Sequence, residues 1–192
     1  MPATAKKEAR LTPDQYLELE RKAEFRSEYA DGEVYAMSGG TVQHNLIGGN
    51  LYRELGNQLE ERPCLVFTSD MKVWIGTADK FAYPDVSALC GEIEYYDEHT
   101  DVVTNPTFIA EVLSPSTEAY DLGDKFRRYR TLATFREYLT LSQLEILAEF
   151  HERQDDGSWL MREYSDPDDS LDFTSIGCRV RLGDLYRKVE FV

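Results

Sequence analysis

Apolar positions along this chain follow two periods, and each period predicts its own kind of element. Between Thr41 and about Glu61, Ile47, Leu51, Leu55 and Leu59 recur every four residues, with Leu46 and Tyr52 widening the stripe. That spacing predicts a long helix with one buried face, capped by Thr41 and ended by Pro63. A first helix opens at Leu11: Thr12 is placed to cap it, Pro13 takes the first helical position, and Gln15 completes a capping box. Strand-like runs lie at Glu33–Met37 after the Asp31-Gly32 turn, then at Cys64–Thr68, Met71–Ile75, Phe81–Leu89 and Phe108–Leu113. The pattern from Asp121 to Leu132 reads as a helix. Glu137–Leu141, Leu144–Phe150 and Trp159–Tyr164 read as strands, the last two flanking a hairpin signal at Asp155-Asp156-Gly157, and Leu182–Tyr186 as a final helical turn. The order α, β, α, β, β, β, β, α, β, β, β predicts an α/β protein of the α+β kind, a mixed sheet flanked by helices.

Composition narrows this further. A chain of 192 residues suits a single domain, 1–192, with residues 1–10 expected to form a flexible arm. No apolar run reaches membrane-spanning length, and Met1 to Glu8 has no apolar centre, so neither a membrane span nor a secretory signal is expected. Cys64, Cys90 and Cys178 are an odd number without a CxxC pair. They predict neither a disulfide framework nor a zinc site, and they suit a reducing, cytoplasmic setting. The net charge of −15, from 36 acidic and 21 basic residues, weighs against strong phosphate-driven binding of DNA. Lys125 to Arg130 is the densest basic cluster. The acidic stretch Gly91–Asp101 has no EF-hand spacing and reads as solvated surface.

The candidate chemistry stands out against apolar surroundings. Asp85 and Glu111 sit in otherwise apolar strands, where a lone carboxylate costs about several kcal/mol unless it is paired, hydrogen-bonded or metal-bound. Mg²⁺ is typically held by one or two carboxylates plus water and phosphate, so the pair suggests a divalent-cation site. Asp121, Lys125 and Tyr129 are spaced i, i+4, i+8 and project from one helical face. They serve either as a surface ion pair over a packed tyrosine or as part of the site. His44, in the first turn of the long helix, is a capping or half-buried histidine or lies at the site's edge.

These residues carry a resemblance. Tyr83-Pro84-Asp85, followed by Glu111-Val112-Leu113, is similar to the PD-(D/E)XK motif of restriction-endonuclease-like folds. Tyr29-Ala30-Asp31-Gly32-Glu33-Val34, Ser69-Asp70-Met71-Lys72-Val73, Glu111 to Thr117, Tyr120-Asp121 with Lys125-Phe126, and Arg136-Glu137-Tyr138 resemble the Uma-two family nearly end to end. The resemblance implies a restriction-endonuclease-like core with a central mixed sheet and an extra C-terminal β-hairpin. It further implies metal binding by Asp85, Glu111 and the Val112 carbonyl, with Mg²⁺ or Mn²⁺ as cofactor. The motif lysine is missing, since Leu113 occupies its place, and the resemblance implies that Lys125 replaces it. Glu28 is implied as a further acidic residue, delivered by a first core helix. The expected function is metal-dependent hydrolysis of nucleic acid, DNA being the expected partner and a homodimer the assembly expected by analogy. Two alternatives stay open: an inactive nuclease-fold binding or regulatory module, and a metal-dependent hydrolase of a small phosphate compound.

Overall fold

Thr12 Oγ1 accepts from the Gln15 N–H while Gln15 Oε1 accepts from the Thr12 N–H, so the expected capping box opens α1 (Pro13–Glu20). In this computed structural model, which describes residues 10–191, the chain then enters a hairpin of β1 (Ser27–Ala30) and β2 (Glu33–Ala36). Asp31 and Gly32 both take positive φ, 52° and 87°, as a two-residue hairpin turn requires. Glu28 therefore lies on a strand and not on the expected helix. The flexible arm expected at 1–10 falls outside the described residues except for Arg10.

Thr41 caps α2 (Val42–Leu59), and Ile47, Leu51, Leu55 and Leu59 are all buried on its inner face. Tyr52 stays 38% exposed, because one residue beyond Leu51 it is turned about 100° off that face. Next come β3 (Cys64–Thr68), β4 (Lys72–Ile75), β5 (Lys80–Ala82) and β6 (Val86–Cys90). The single strand expected over Phe81–Leu89 is thus two strands in different sheets. Pro84 has no N–H to give a ladder, and the chain breaks there. Asp85 consequently sits at a junction between sheets and not within a strand.

β7 (Val102–Val103) and β8 (Phe108–Leu113) follow; all six residues of β8 are buried, as befits a strand covered on both faces. A helical segment then runs through α3 (Glu118–Tyr120), one turn of π-helix at Asp121–Lys125, and α4 (Phe126–Tyr129). It starts earlier and stops earlier than the expected 121–132. The chain continues with β9 (Glu137–Ser142), β10 (Ala148–Arg153) and β11 (Trp159–Tyr164), the last two joined at Gly157. The C-terminal strand pair β12 (Ser170–Phe173) and β13 (Cys178–Arg181) precedes α5 (Leu182–Leu185).

The central six-stranded sheet has the order β11-β10-β9-β8-β6-β3 and is mixed, with β8 and β9 parallel and the other pairs antiparallel. One face packs on α2, α5 and the C-terminal strand pair, through Leu51, Phe108, Phe150 and Phe173 among others. The other face packs on Phe126 and Tyr129 and on a second, five-stranded sheet, β2-β1-β5-β4-β7. That second sheet was not expected: Glu33–Met37 and Met71–Ile75 read as strands, but β1, β5 and β7, which complete the sheet around them, are only two to four residues long and too short to show a period.

Two further expectations are corrected. Cys64 and Cys90 stand opposite each other in the β3–β6 register and form a disulfide, leaving Cys178 as the buried free thiol. Partners 26 residues apart meet only through strand pairing, which cysteine spacing cannot reveal. The acidic stretch is not simply solvated. Arg21 binds both Asp97 and Asp101, and Lys72 Nζ lies 3.0 Å from Asp101.

Candidate active site

Three breaks in regular structure bring the charged residues together. The Pro84 break delivers Asp85. The C-terminal half of β8 delivers Glu111, which is 2% exposed. After β8, a turn of hydroxyls reverses the chain: Ser114 Oγ lies 3.0 Å from Ser116 Oγ and 2.9 Å from Thr117 Oγ1. The helical segment then returns over the sheet and lowers Lys125 into the site. Its π turn carries both Asp121 and Lys125, a local widening of the helix found frequently at functional sites.

Lys125 Nζ lies 2.8 Å from Glu111 Oε1, 3.3 Å from Asp121 Oδ1 and 3.8 Å from Glu28 Oε1. The Tyr129 hydroxyl donates to the same Glu111 oxygen at 3.2 Å. Asp85 Oδ2 accepts the Val112 N–H at 2.8 Å and lies 3.1 Å from His44 Nε2, while the Asp85 N–H faces Glu111 Oε2 at 3.4 Å. Gly40 makes room for the imidazole, since a Cβ there would lie 2.8 Å from His44 Nδ1. Every candidate named from the sequence, Glu28, His44, Asp85, Glu111, Val112, Asp121, Lys125 and Tyr129, thus falls within this one network. Leu113, at the position of the motif lysine, does not line the cavity.

One residue escaped the sequence reading. Lys80, only 1% exposed, places Nζ 2.6 Å from Glu28 Oε2, so Glu28 bridges two lysines and also accepts the Tyr83 N–H. The available signal was a lysine beside Phe81-Ala82, just before the Pro84 break.

Burial pushes the Glu111 carboxyl well above its usual range, with Asp121 and Asp85 adding and Lys125 opposing. Burial alone would lower Lys125, but Glu111 and then Tyr129, Glu28 and Asp121 hold it well above the usual lysine range. Those two directions pull against each other, because Glu111 supports the lysine only while ionised. Three carboxylates surround the Lys125 ammonium and keep it charged. Burial opposes ionisation of Glu28, yet Lys125 and Lys80 hold it below its usual range. The hydrogen bond that His44 donates to the Asp85 carboxylate raises its pKa, against its partial burial.

Glu28, His44, Asp85, Glu111, Asp121 and Lys125 border a cleft of about 440 Å³, with Lys80 and Tyr129 behind them. Four carboxylates (Glu28, Asp85, Glu111 and Asp121) face two ammonium groups and one imidazole, a surplus of negative charge in a buried setting. Hard oxygen donors with excess charge are the donor chemistry of a Mg²⁺-type ion. Among the described residues, no three His, Cys, Asp or Glu side chains are grouped closely enough to enclose an ion by themselves. Ligands from outside the described residues would have to complete its shell.

A mixed sheet flanked by helices, with a C-terminal strand pair, is a nuclease-like fold. The chain belongs to the Uma2 family, described as "Putative restriction endonuclease", whose family model matches residues 13–180. It is 36% identical to the uncharacterized protein slr1290 of Synechocystis sp. over 182 residues, covering 95% of this chain and 94% of that one. A second uncharacterized protein of that organism, sll1609, is 35% identical over 164 residues, 85% of this chain and 93% of that one. The fold is shared with a crystal structure described as a putative nuclease belonging to DUF820 from Anabaena variabilis. The TM-score is 0.74 at 17% identity, over 94% of this chain and 99% of that one.

Proposed function

We propose that the chain is a metal-dependent endonuclease that hydrolyses phosphodiester bonds of nucleic acid. What carries this reading is the approach of Lys125 to Glu111 at 2.8 Å, beside Asp85, which supplies from a helix the cation that the strand motif lacks. Asp85 and Glu111, with the Val112 carbonyl, are the groups assigned to hold Mg²⁺ or Mn²⁺. Such an ion contributes Lewis-acid polarisation of the phosphate and a more acidic water.

The remaining roles belong to the chain's own groups. His44 and the Val112 N–H fix the orientation of Asp85. Held protonated, Lys125 cannot accept the proton of an attacking water; its ammonium instead stabilises negative charge growing on the phosphate and donates a hydrogen bond. Glu28, anchored by Lys80 and the Tyr83 N–H, positions that ammonium. The test is cleavage of single- and double-stranded DNA and RNA with Mg²⁺ or Mn²⁺, against an Asp85→Ala control. Cleavage no greater than the control's overturns the reading.

One observation favours a second reading, a nuclease-fold binding module. Glu111 Oε1 is already engaged by both Lys125 and Tyr129, as in a finished structural ion pair. Calorimetric titration separates the two: Mn²⁺ affinity that disappears in Glu111→Gln excludes the module.

A further inference from the structure

We propose that the substrate of this cleft is single-stranded nucleic acid, held by stacking of its bases on Tyr35 and Tyr120 and not by a basic track along a duplex. The inference rests on the nuclease reading for its chemistry and on charge and exposure for its substrate. Among the described residues lining the cleft, Lys125 is the single Lys or Arg, and its side chain is only 8% exposed and committed to carboxylates.

The basic cluster after Lys125 supplies no track either. Arg127 binds Asp124, Arg128 binds Asp31 and the Ala78 carbonyl, and Arg130 lies 5.0 Å from the Phe126 ring centre. None of the three lines the cleft. A protein that grips a duplex does so by neutralising several phosphates with Lys and Arg, and this mouth offers no such set while the whole chain carries −15.

The cleft offers π faces instead. Tyr35, on the edge strand β2, is 52% exposed, and Tyr120 is 37% exposed, and both border the cleft. Lys80 Nζ lies 5.3 Å from the Tyr120 ring centre and steadies it from the protein side. Bases stack on aromatic rings without regard to sequence, but only when unpaired. Ser38, Gly39, Gly40, Ser114, Ser116 and Thr117 also border the cleft and offer uncharged hydroxyl and backbone groups to a sugar–phosphate chain.

The experiment measures binding of fluorescent 20-mers of DNA and RNA, single-stranded and duplex, in EDTA at two salt concentrations, and then their cleavage in Mn²⁺. Single strands are expected to bind at least about tenfold more tightly than duplex. The salt dependence should be shallow, unlike that of binders with a basic groove, because the described residues of the cleft lining offer phosphates no free Lys or Arg. Tyr35→Ala and Tyr120→Ala should each weaken single-strand binding about 5- to 100-fold and raise KM with kcat little changed, while Tyr→Phe at either position restores both. Duplex bound or cleaved as well as single strand overturns the inference and leaves the nuclease reading standing. So do tyrosine-to-alanine variants that bind like the wild type. Single-strand preference with no cleavage of any polymer supports the inference and removes the nuclease reading. The DNA and RNA arms separate the two kinds of strand.

Discussion

Lys125 is held in place by carboxylates on three elements: Glu28 from β1, Glu111 from β8 and Asp121 from its own helical turn. If it stabilises charge during cleavage, Lys125→Met should lower the cleavage rate about 100-fold or more with substrate binding nearly intact. A rate within a few-fold of wild type would refute that role. Lys80 is a different case, since it meets Glu28 and not Glu111. Lys80→Met leaves Glu28 buried with only the more distant lysine, and breaking a buried pair this way costs about 3–5 kcal/mol. Urea denaturation should show that loss, whereas the exposed Lys22→Met should change stability by less than about 1 kcal/mol. The charge pattern of the sequence pointed to Lys125 but not to Lys80. An i, i+4 partner is visible in a string of letters, and a partner 52 residues away is not.

At the scale of elements, the stretch before β7 shows how a loop of surplus acid is tied down. Burial raises Asp101, but Arg21 and then Lys72 outweigh it and hold the carboxyl at about 2, against an ordinary 3.8. A depressed carboxylate stabilises the fold above its unfolded value, and that contribution disappears as pH falls through the folded one. Thermal melts between pH 4 and pH 2 should therefore lose less stability in Asp101→Asn than in wild type; parallel curves would show that the tether carries no weight. The helical segment behind β8 teaches a related point. Its i, i+4, i+8 pattern marked one charged face, and the π turn at Asp121–Lys125 then sets where along the sheet that face lands. Such a turn has no local signature in the sequence, because it is chosen by what the segment packs against.

For the whole molecule, the Cys64–Cys90 disulfide joins an edge strand of the central sheet to its neighbour across 26 residues. Closing a loop of that length stabilises by about 3 kcal/mol in the chain-entropy account. Cys64→Ser should therefore lower Tm by roughly 6–12 °C in oxidising buffer, and wild type in excess reductant should melt like the variant. Equal melting of oxidised and reduced wild type would show that the bond adds nothing. The bond lies across β3 and β6, whereas Asp85, just before β6, reaches the cleft at the opposite end of that strand.

Local physics was legible in the letters. The capping box at Thr12, the four-residue stripe of α2, the run of β8 and the two carboxylates against apolar backgrounds all depend on neighbours within one or two turns of chain. Fold class followed from these, and the family resemblance from motifs spread along the chain, Tyr83-Pro84-Asp85 and Glu111 to Thr117 among them. Tertiary structure alone decided the transfer of the chain between sheets at Pro84, the pairing of two cysteines, the five-stranded second sheet and the Lys80–Glu28–Lys125 bridge. Each of these depends on which strands lie side by side and in which register. Register is set by the packing of both faces of the sheet at once, and no single stretch of sequence contains that information.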